Sequence, residues 1–332
     1  MDNDLIHGGA IDLMHQRFKD APKPWLDLST GINPFAYPHV SVSREAVEHL
    51  PTNAMIEGCR AAMAKAFRAP RESIVVGPGS ELLIRLLPNV IKPKVVVILN
   101  PTYGDHKTVW AAADCRVIET EAPLQRAGEA DAVVVCNPNN PDGRIFSPNE
   151  LERAREQLAA RGGWLIVDEA YADLDPRLSI ASSGGKDGLI VLRSFGKFYG
   201  LAGIRLGAAL VPALLRSVIN HRLGSWPVSG AALEIGTRAY NDTDWAMMVR
   251  PKLASARVRL DSLLQRHGLT INGGTDLFRL IKTANAHQMW KRLAESGIYV
   301  RRFDWSEHDL RIGLPPDEQA EDRFEKALSF LT

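Results

Sequence analysis

The middle of the chain is a series of short, continuously apolar runs, and each run stops abruptly at a polar residue, a proline or a glycine. Residues 74–76 stop at Gly77-Pro78-Gly79, 95–99 at Asn100-Pro101, 132–136 at Asn137-Pro138 and 164–167 at Asp168, while 189–192 lead to Ser194. Residues 115–118 and 208–211 complete the series. Such runs are too short for helices. They are rich in β-branched side chains and alternate with helical patterns such as those from Ser80 and around 108–113. The alternation predicts an α/β fold with a mostly parallel sheet covered on both faces.

The last third reads differently. Residues 244–267 are helical and rich in Arg, Leu and Ala, with Gly268 as the stop. Strand patterns follow at 277–281, 298–301 and 310–312, with helices at 286–296 and from Asp317. This is an α+β pattern. With 332 residues, 45% of them hydrophobic, two lobes are expected. We expect a large domain over 26–240, and a smaller one made of 241–332 with an N-terminal arm, 1–25.

The 40 basic and 39 acidic residues balance to +1, which gives no footing for binding nucleic acid. Cys59, Cys115 and Cys136 lack metal-ligand spacing and read as buried thiols of a cytoplasmic protein, so no metal is expected. The acidic start, Met1-Asp2-Asn3-Asp4, is unlike a signal peptide, and no run approaches the ~20 apolar residues of a membrane span.

In an open α/β sheet, ligands bind beyond the carboxyl ends of the strands, where the unusual polar residues fall here. Gly79-Ser80-Glu81 opens a helix whose free N–H groups suit a phosphate, although Ser80 could equally cap its own helix. Asn137-Pro138-Asn139-Asn140-Pro141-Asp142-Gly143 is an elaborate polar turn. Asp168 is a carboxylate at the end of a buried run, costly unless paired. Between Ser194 and Gly207, Lys197 sits in a Gly-rich turn, with Arg205 beyond it. Small residues between them leave room for a flat ligand, and a desolvated lysine can attack a carbonyl carbon.

In this order, these elements resemble those of the fold-type-I pyridoxal-phosphate enzymes, the aminotransferase class I/II superfamily. The resemblance runs from about Leu26 to Leu314. It implies pyridoxal 5'-phosphate as cofactor, held by Gly79, Ser80, Glu81, Ser194 and Arg205 at its phosphate. Tyr103 would stack on the ring, and Asn140 and Tyr171 would share the phenolic oxygen. Asp168 would pair with the ring nitrogen, and Lys197 would carry the aldehyde. Lys197, Asp168 and Tyr103 are the catalytic candidates. Glu169 reads as structural.

Two flanking segments bear on the reaction. Asp309-Leu310-Arg311-Ile312-Gly313-Leu314 resembles the segment whose arginine grips a substrate carboxylate, and Arg301 is a candidate for a second anion. Arg302 reads as solvated surface. His7-Gly8-Gly9, with the Gly31-Ile32-Asn33-Pro34 turn, resembles the start of the threonine-phosphate decarboxylases of cobalamin biosynthesis. His7, Gly31 and Asn33 would then face a phosphorylated amino acid. That family implies decarboxylation of L-threonine O-3-phosphate by a homodimer. The alternative is an aminotransferase, for example on histidinol phosphate. Relatives often carry a Tyr-Pro pair where this chain has Leu50-Pro51, so a hydroxyl to the neighbouring subunit's cofactor is missing. The segment Ser225-Trp226-Pro227-Val228-Ser229 matches the decarboxylases without an evident role. A nicotinamide-binding enzyme is disfavoured, since no Gly-x-Gly-x-x-Gly follows the first strand.

Overall fold

The computed structural model describes residues 7–329. In chain order its strands are β1 (Leu26–Leu28), β2 (Ile74–Gly77), β3 (Val95–Leu99), β4 (Arg116–Thr120), β5 (Ala132–Cys136), β6 (Trp164–Asp168), β7 (Leu189–Ser194), β8 (Gly207–Leu210), β9 (Thr270–Thr275), β10 (Phe278–Lys282), β11 (Ile298–Phe303) and β12 (Ser306–Gly313). Contacts divide the chain into two compact units, one over 36–247, the other joining residues up to 35 with those from 248.

The unit over 36–247 holds a seven-stranded sheet in the order β2-β8-β7-β6-β5-β3-β4. Neighbours pair in parallel except at β8, which runs antiparallel to both β2 and β7. β5 is buried along its whole length and β6 and β7 nearly so, which is why these strands read as unbroken apolar runs rather than alternating ones. Helices cover the sheet, among them Ser80–Ile91 and Pro148–Ala159, the latter opened by a reciprocal Ser147/Glu150 capping box. Since β3, β5, β6 and β7 share one direction, their carboxyl ends, with Asn100, Asn137, Asp168 and Ser194, fall on one edge of the sheet.

The second unit holds a five-stranded sheet in the order β1-β11-β12-β10-β9. β1 pairs in parallel with β11, Leu26 opposite Ile298. The contact boundary therefore falls at 36, not at the expected 26, because this early strand belongs to the C-terminal sheet. At the other end it falls at 248, inside the long helix Thr243–Arg266. β9 was not foreseen, since Thr-Ile-Asn-Gly-Gly-Thr has the composition of a turn. It forms as an edge strand on β10, with a register shift at Leu280/Ile281.

Candidate active site

A glycine cradle forms where β2 turns into the helix Ser80–Ile91. Gly79 takes φ +91°, a left-handed conformation that glycine alone adopts without strain. A Cβ on Gly79 would lie 2.7 Å from Arg205 Nη2, so the guanidinium stands over this turn. Arg205 itself has φ +53°, unusual for a side chain of its size, and its Nη1 donates to Ala202 O at 3.1 Å. The turn also presses on β8: a Cβ on Gly207 would come within 2.6 Å of Ser80 N. Gly207 pairs with Ser194, and thus the cradle, Ser194 and Arg205 are brought together.

Two strands along, Asp168 ends β6 and is buried. Its Oδ2 lies 3.0 Å from His106 Nε2, and its Oδ1 accepts from Ala170 N at 3.1 Å. Burial alone would strip His106 of its charge. The Cys136 sulfur and the Asp168 carboxylate outweigh that effect, so His106 is pushed up to about 10. His106, Cys136 and Asp168 form a buried group whose side-chain nitrogen, sulfur and oxygen atoms lie within 4.8 Å of one another. Sequence spacing gave no hint of the group, because it assembles from three separate elements. The one available signal was His106 three positions after Tyr103, on the same helical turn. Tyr103 caps that helix, and its hydroxyl lies 3.0 Å from Glu81 Oε2 and 2.9 Å from Asp105 Oδ2.

The asparagine turn divides its labour. Asn137 bonds Phe146 and Leu178, and Asn139 bonds Pro101, Thr102 and Asp142; both are buried in holding the turn. Asn140 is half-buried at its tip, and Tyr171 is buried close after Asp168 in sequence. Glu169 points away from this chemistry. It accepts from Ser179 Oγ at 2.5 Å, Ile180 N at 2.7 Å and Arg193 Nη1 at 2.8 Å. Arg193 also bonds Asp173 and lies 4.3 Å over the Phe67 ring.

Lys197 lies half-buried on a single helical turn, Phe195–Phe198, capped by Ser194. Four residues cannot sustain a helix by themselves. Aromatic packing holds this one: Phe195 stacks on Tyr199 at 4.6 Å, Tyr199 stacks on Trp245 at 5.4 Å, and Tyr37 meets Trp245 edge-on at 5.2 Å. None of these contacts was foreseen.

In the other unit, His7, Gly31, Asn33, Arg301 and Arg311 gather around the end of β1. Tyr299 Oη donates to His7 O at 3.2 Å, Gly9 N to Ser29 Oγ at 2.8 Å, and Arg311 Nη2 to Ser29 O at 2.6 Å. A Cβ on Gly8 would lie 2.5 Å from Ser29 O. The segment His7-Gly8-Gly9 is thus fitted onto the same serine that Arg311 holds. Asn33 Oδ1 accepts from Phe35 N at 2.7 Å, and Gly31 is buried. Arg301 stands directly opposite Arg311 across β11 and β12; burial and Arg311 bring its guanidinium down to about 10. Two like charges so placed favour an anion. Arg302 is half-buried at the surface, where it meets exposed His287 Nδ1 at 2.9 Å and lies 5.1 Å over the Trp290 ring. Of the three cysteines, Cys59 and Cys136 are buried, whereas Cys115 is only half-buried.

Residues 23–326 match the family model for aminotransferase class I and II. The chain belongs to the class I and II aminotransferase family. Within that family it is 38% identical to a threonine-phosphate decarboxylase from a Sinorhizobium species, over 98% of both chains. It is likewise 38% identical to a threonine-phosphate decarboxylase from Pseudomonas aeruginosa, over 98% of this chain and 97% of that one. Among solved structures, the histidinol-phosphate aminotransferase from Sinorhizobium meliloti in complex with pyridoxal-5'-phosphate superposes with a TM-score of 0.85 at 18% identity, covering 97% of this chain and 95% of that one. The class I/II fold is therefore shared well beyond the range of sequence identity. Among the described residues, no helix is long and apolar enough to cross a membrane.

Proposed function

We propose that this protein is a pyridoxal-phosphate-dependent lyase that decarboxylates L-threonine O-3-phosphate to (R)-1-aminopropan-2-ol O-phosphate, in cobalamin biosynthesis. The observation that carries the reading is the fit of His7-Gly8-Gly9 onto Ser29, the residue whose carbonyl holds Arg311. The 38% identity to two threonine-phosphate decarboxylases, over nearly the whole chain, supports it.

The residues fit the cofactor. The space that a Cβ on Gly79 would fill is bounded by a guanidinium and a helix N-terminus, which suits a phosphate dianion. Ser80, Glu81 N–H, Ser194 and Arg205 would hold that phosphate. Tyr103 would cover one ring face. Asn140 and Tyr171 would serve the phenolic oxygen, Asp168 the ring nitrogen and Lys197 the aldehyde carbon. When bound, the cofactor supplies an electron-accepting ring for the pair released as the C–C bond to carbon dioxide breaks.

The chain's own residues do the rest. His106 orients the Asp168 carboxylate through its Nε2 contact. Arg311 grips the substrate carboxylate and so sets which bond stands perpendicular to the ring. His7 and Arg301 take the substrate phosphate, with Gly31 and Asn33 shaping the turn beside it. Lys197 Nζ holds the proton returned to Cα. We further propose a cytoplasmic homodimer, supported by exposed Val47, Leu50 and Trp226.

The test is product analysis of the cofactor-loaded protein with L-threonine O-3-phosphate, with and without 2-oxoglutarate. Carbon dioxide and aminopropanol phosphate without any oxoacid are expected. No carbon dioxide, but glutamate formed with histidinol phosphate as donor, would make the protein an aminotransferase.

A further inference from the structure

Ser29, just past the end of β1, is tied through its side chain, its N–H and its carbonyl. Its Oγ donates to Asp27 Oδ1 at 2.6 Å, and its N–H donates to the same oxygen at 2.8 Å. A serine hydroxyl has one proton and two lone pairs. With the proton spent on Asp27, the oxygen meets the Gly9 N–H as an acceptor, at 2.8 Å. The Ser29 carbonyl is taken separately, by Arg311 Nη2 at 2.6 Å. Ser29 is fully buried and Asp27 half-buried, a setting in which an unmade hydrogen bond is costly. The segment His7-Gly8-Gly9 is held at its other end too. Tyr299, which stands opposite Asp27 in the β1–β11 register, donates from Oη to His7 O at 3.2 Å. Between the two ties lies Gly8, where a Cβ would come within 2.5 Å of Ser29 O. Beyond Gly9 the chain enters the helix Ile11–Arg17, anchored by the buried Met14.

We propose that Ser29, its hydroxyl oriented by Asp27, is the positioning residue that holds the His7 segment in place for the substrate phosphate, and that it thereby sets the preference for phosphorylated over plain threonine. This role rests on the reading of His7 as a ligand of that phosphate and of Arg311 as the ligand of the carboxylate. The Ser29 side chain serves the segment, whereas its carbonyl serves Arg311. Loss of the hydroxyl therefore removes a tie on the phosphate side and leaves the carboxylate side its own hydrogen bond. A contact that acts alike on bound substrate and transition state appears in KM rather than in kcat. Asparagine at position 27 keeps a carbonyl oxygen that can accept from both Ser29 donors, and alanine does not.

The hold on the segment is tested without substrate or cofactor, by hydrogen exchange of the Gly9 amide in the full chain, followed by NMR. Exchange should be slow in wild type and in Asp27→Asn, and roughly three- to tenfold faster in Ser29→Ala and Asp27→Ala, the range for one lost hydrogen bond. Gly8→Ala, which keeps every polar group and crowds Ser29 O instead, should speed it as well. Unchanged exchange in Ser29→Ala overturns the hold. Selectivity is tested with the cofactor-loaded protein. Ser29→Ala should raise KM for L-threonine O-3-phosphate roughly three- to tenfold, with kcat changed less, while inhibition by L-threonine shifts by less than about twofold. Asp27→Ala should do the same and Asp27→Asn should not. On a His7→Ala background, Ser29→Ala should add no further loss. An equal loss for both ligands, or a full further loss without His7, overturns the selectivity role. Wild type that neither binds nor converts L-threonine O-3-phosphate, with Gly9 exchange as expected, overturns instead the reading of the site on which that role rests.

Discussion

Lys197 and Glu169 show how neighbouring residue types take opposite duties at one sheet edge. Lys197 stands on a helical turn too short to hold itself, half-buried beside small residues. Glu169 sits one residue beyond Asp168, yet faces the other way into Arg193, Ser179 and the Ile180 amide. Lys197→Ala should remove the visible absorbance of the cofactor-loaded protein and lower turnover by at least the ~10²–10⁴ that a positioned proton-transfer group supplies. Retained turnover would refute its assignment. Glu169→Gln leaves the buried Arg193 with Asp173 as its remaining carboxylate neighbour in this cluster. It should cost about 3–5 kcal/mol in urea unfolding, the range for a broken buried pair. A loss below ~1 kcal/mol would mean that Asp173 alone satisfies the guanidinium. The structural role of Glu169 was legible in sequence, because a second carboxylate after a buried run needs a partner of its own. His106 was not legible, because its claim on Asp168 is made across 62 positions.

At the level of elements, the strand ends carry the candidate site, and the strands were the most legible part of the chain. Buried parallel strands must be apolar on both faces, so the sequence marks them and marks where they stop. Tyr103, Asn140, Asp168 and Ser194 could therefore be placed at strand ends before any coordinates. What escaped were features set by tertiary pairing: the antiparallel sense of β8, the Gly-rich edge strand β9, and the membership of β1 in the C-terminal sheet. β8 also shows how closely elements meet at the cradle. Gly207→Ala places a methyl 2.6 Å from Ser80 N, against backbone that must move. It should cost about 1–3 kcal/mol of stability and weaken cofactor binding more than it weakens the fold. Calorimetric titration with the cofactor, beside a thermal melt, separates the two effects. Unchanged affinity would mean that the cradle tolerates the shift.

Across the whole molecule, buried titratable groups tie stability to pH. His106 is raised from its ordinary value of about 6.5 to about 10 in the folded chain. A raised base binds its proton more tightly when folded. Its contribution is therefore complete below pH ~6.5 and is lost as pH climbs through about 10. Cofactor-free protein should become progressively easier to unfold by urea over that window, and His106→Asn should flatten the slope. An unchanged slope would place the titration elsewhere. A different consequence follows from β1 lying beside β11. The ribosome makes Leu26 early and Ile298 late, with the whole unit over 36–247 emerging between them. That unit can pack while the chain is still growing, but the strand leading to Ser29 must wait for its partner. The seat for His7 and Arg311 is thus among the last parts to form, and a nascent chain arrested before β11 would carry Lys197 and His7 without Arg301 and Arg311, two of the residues assigned to its substrate.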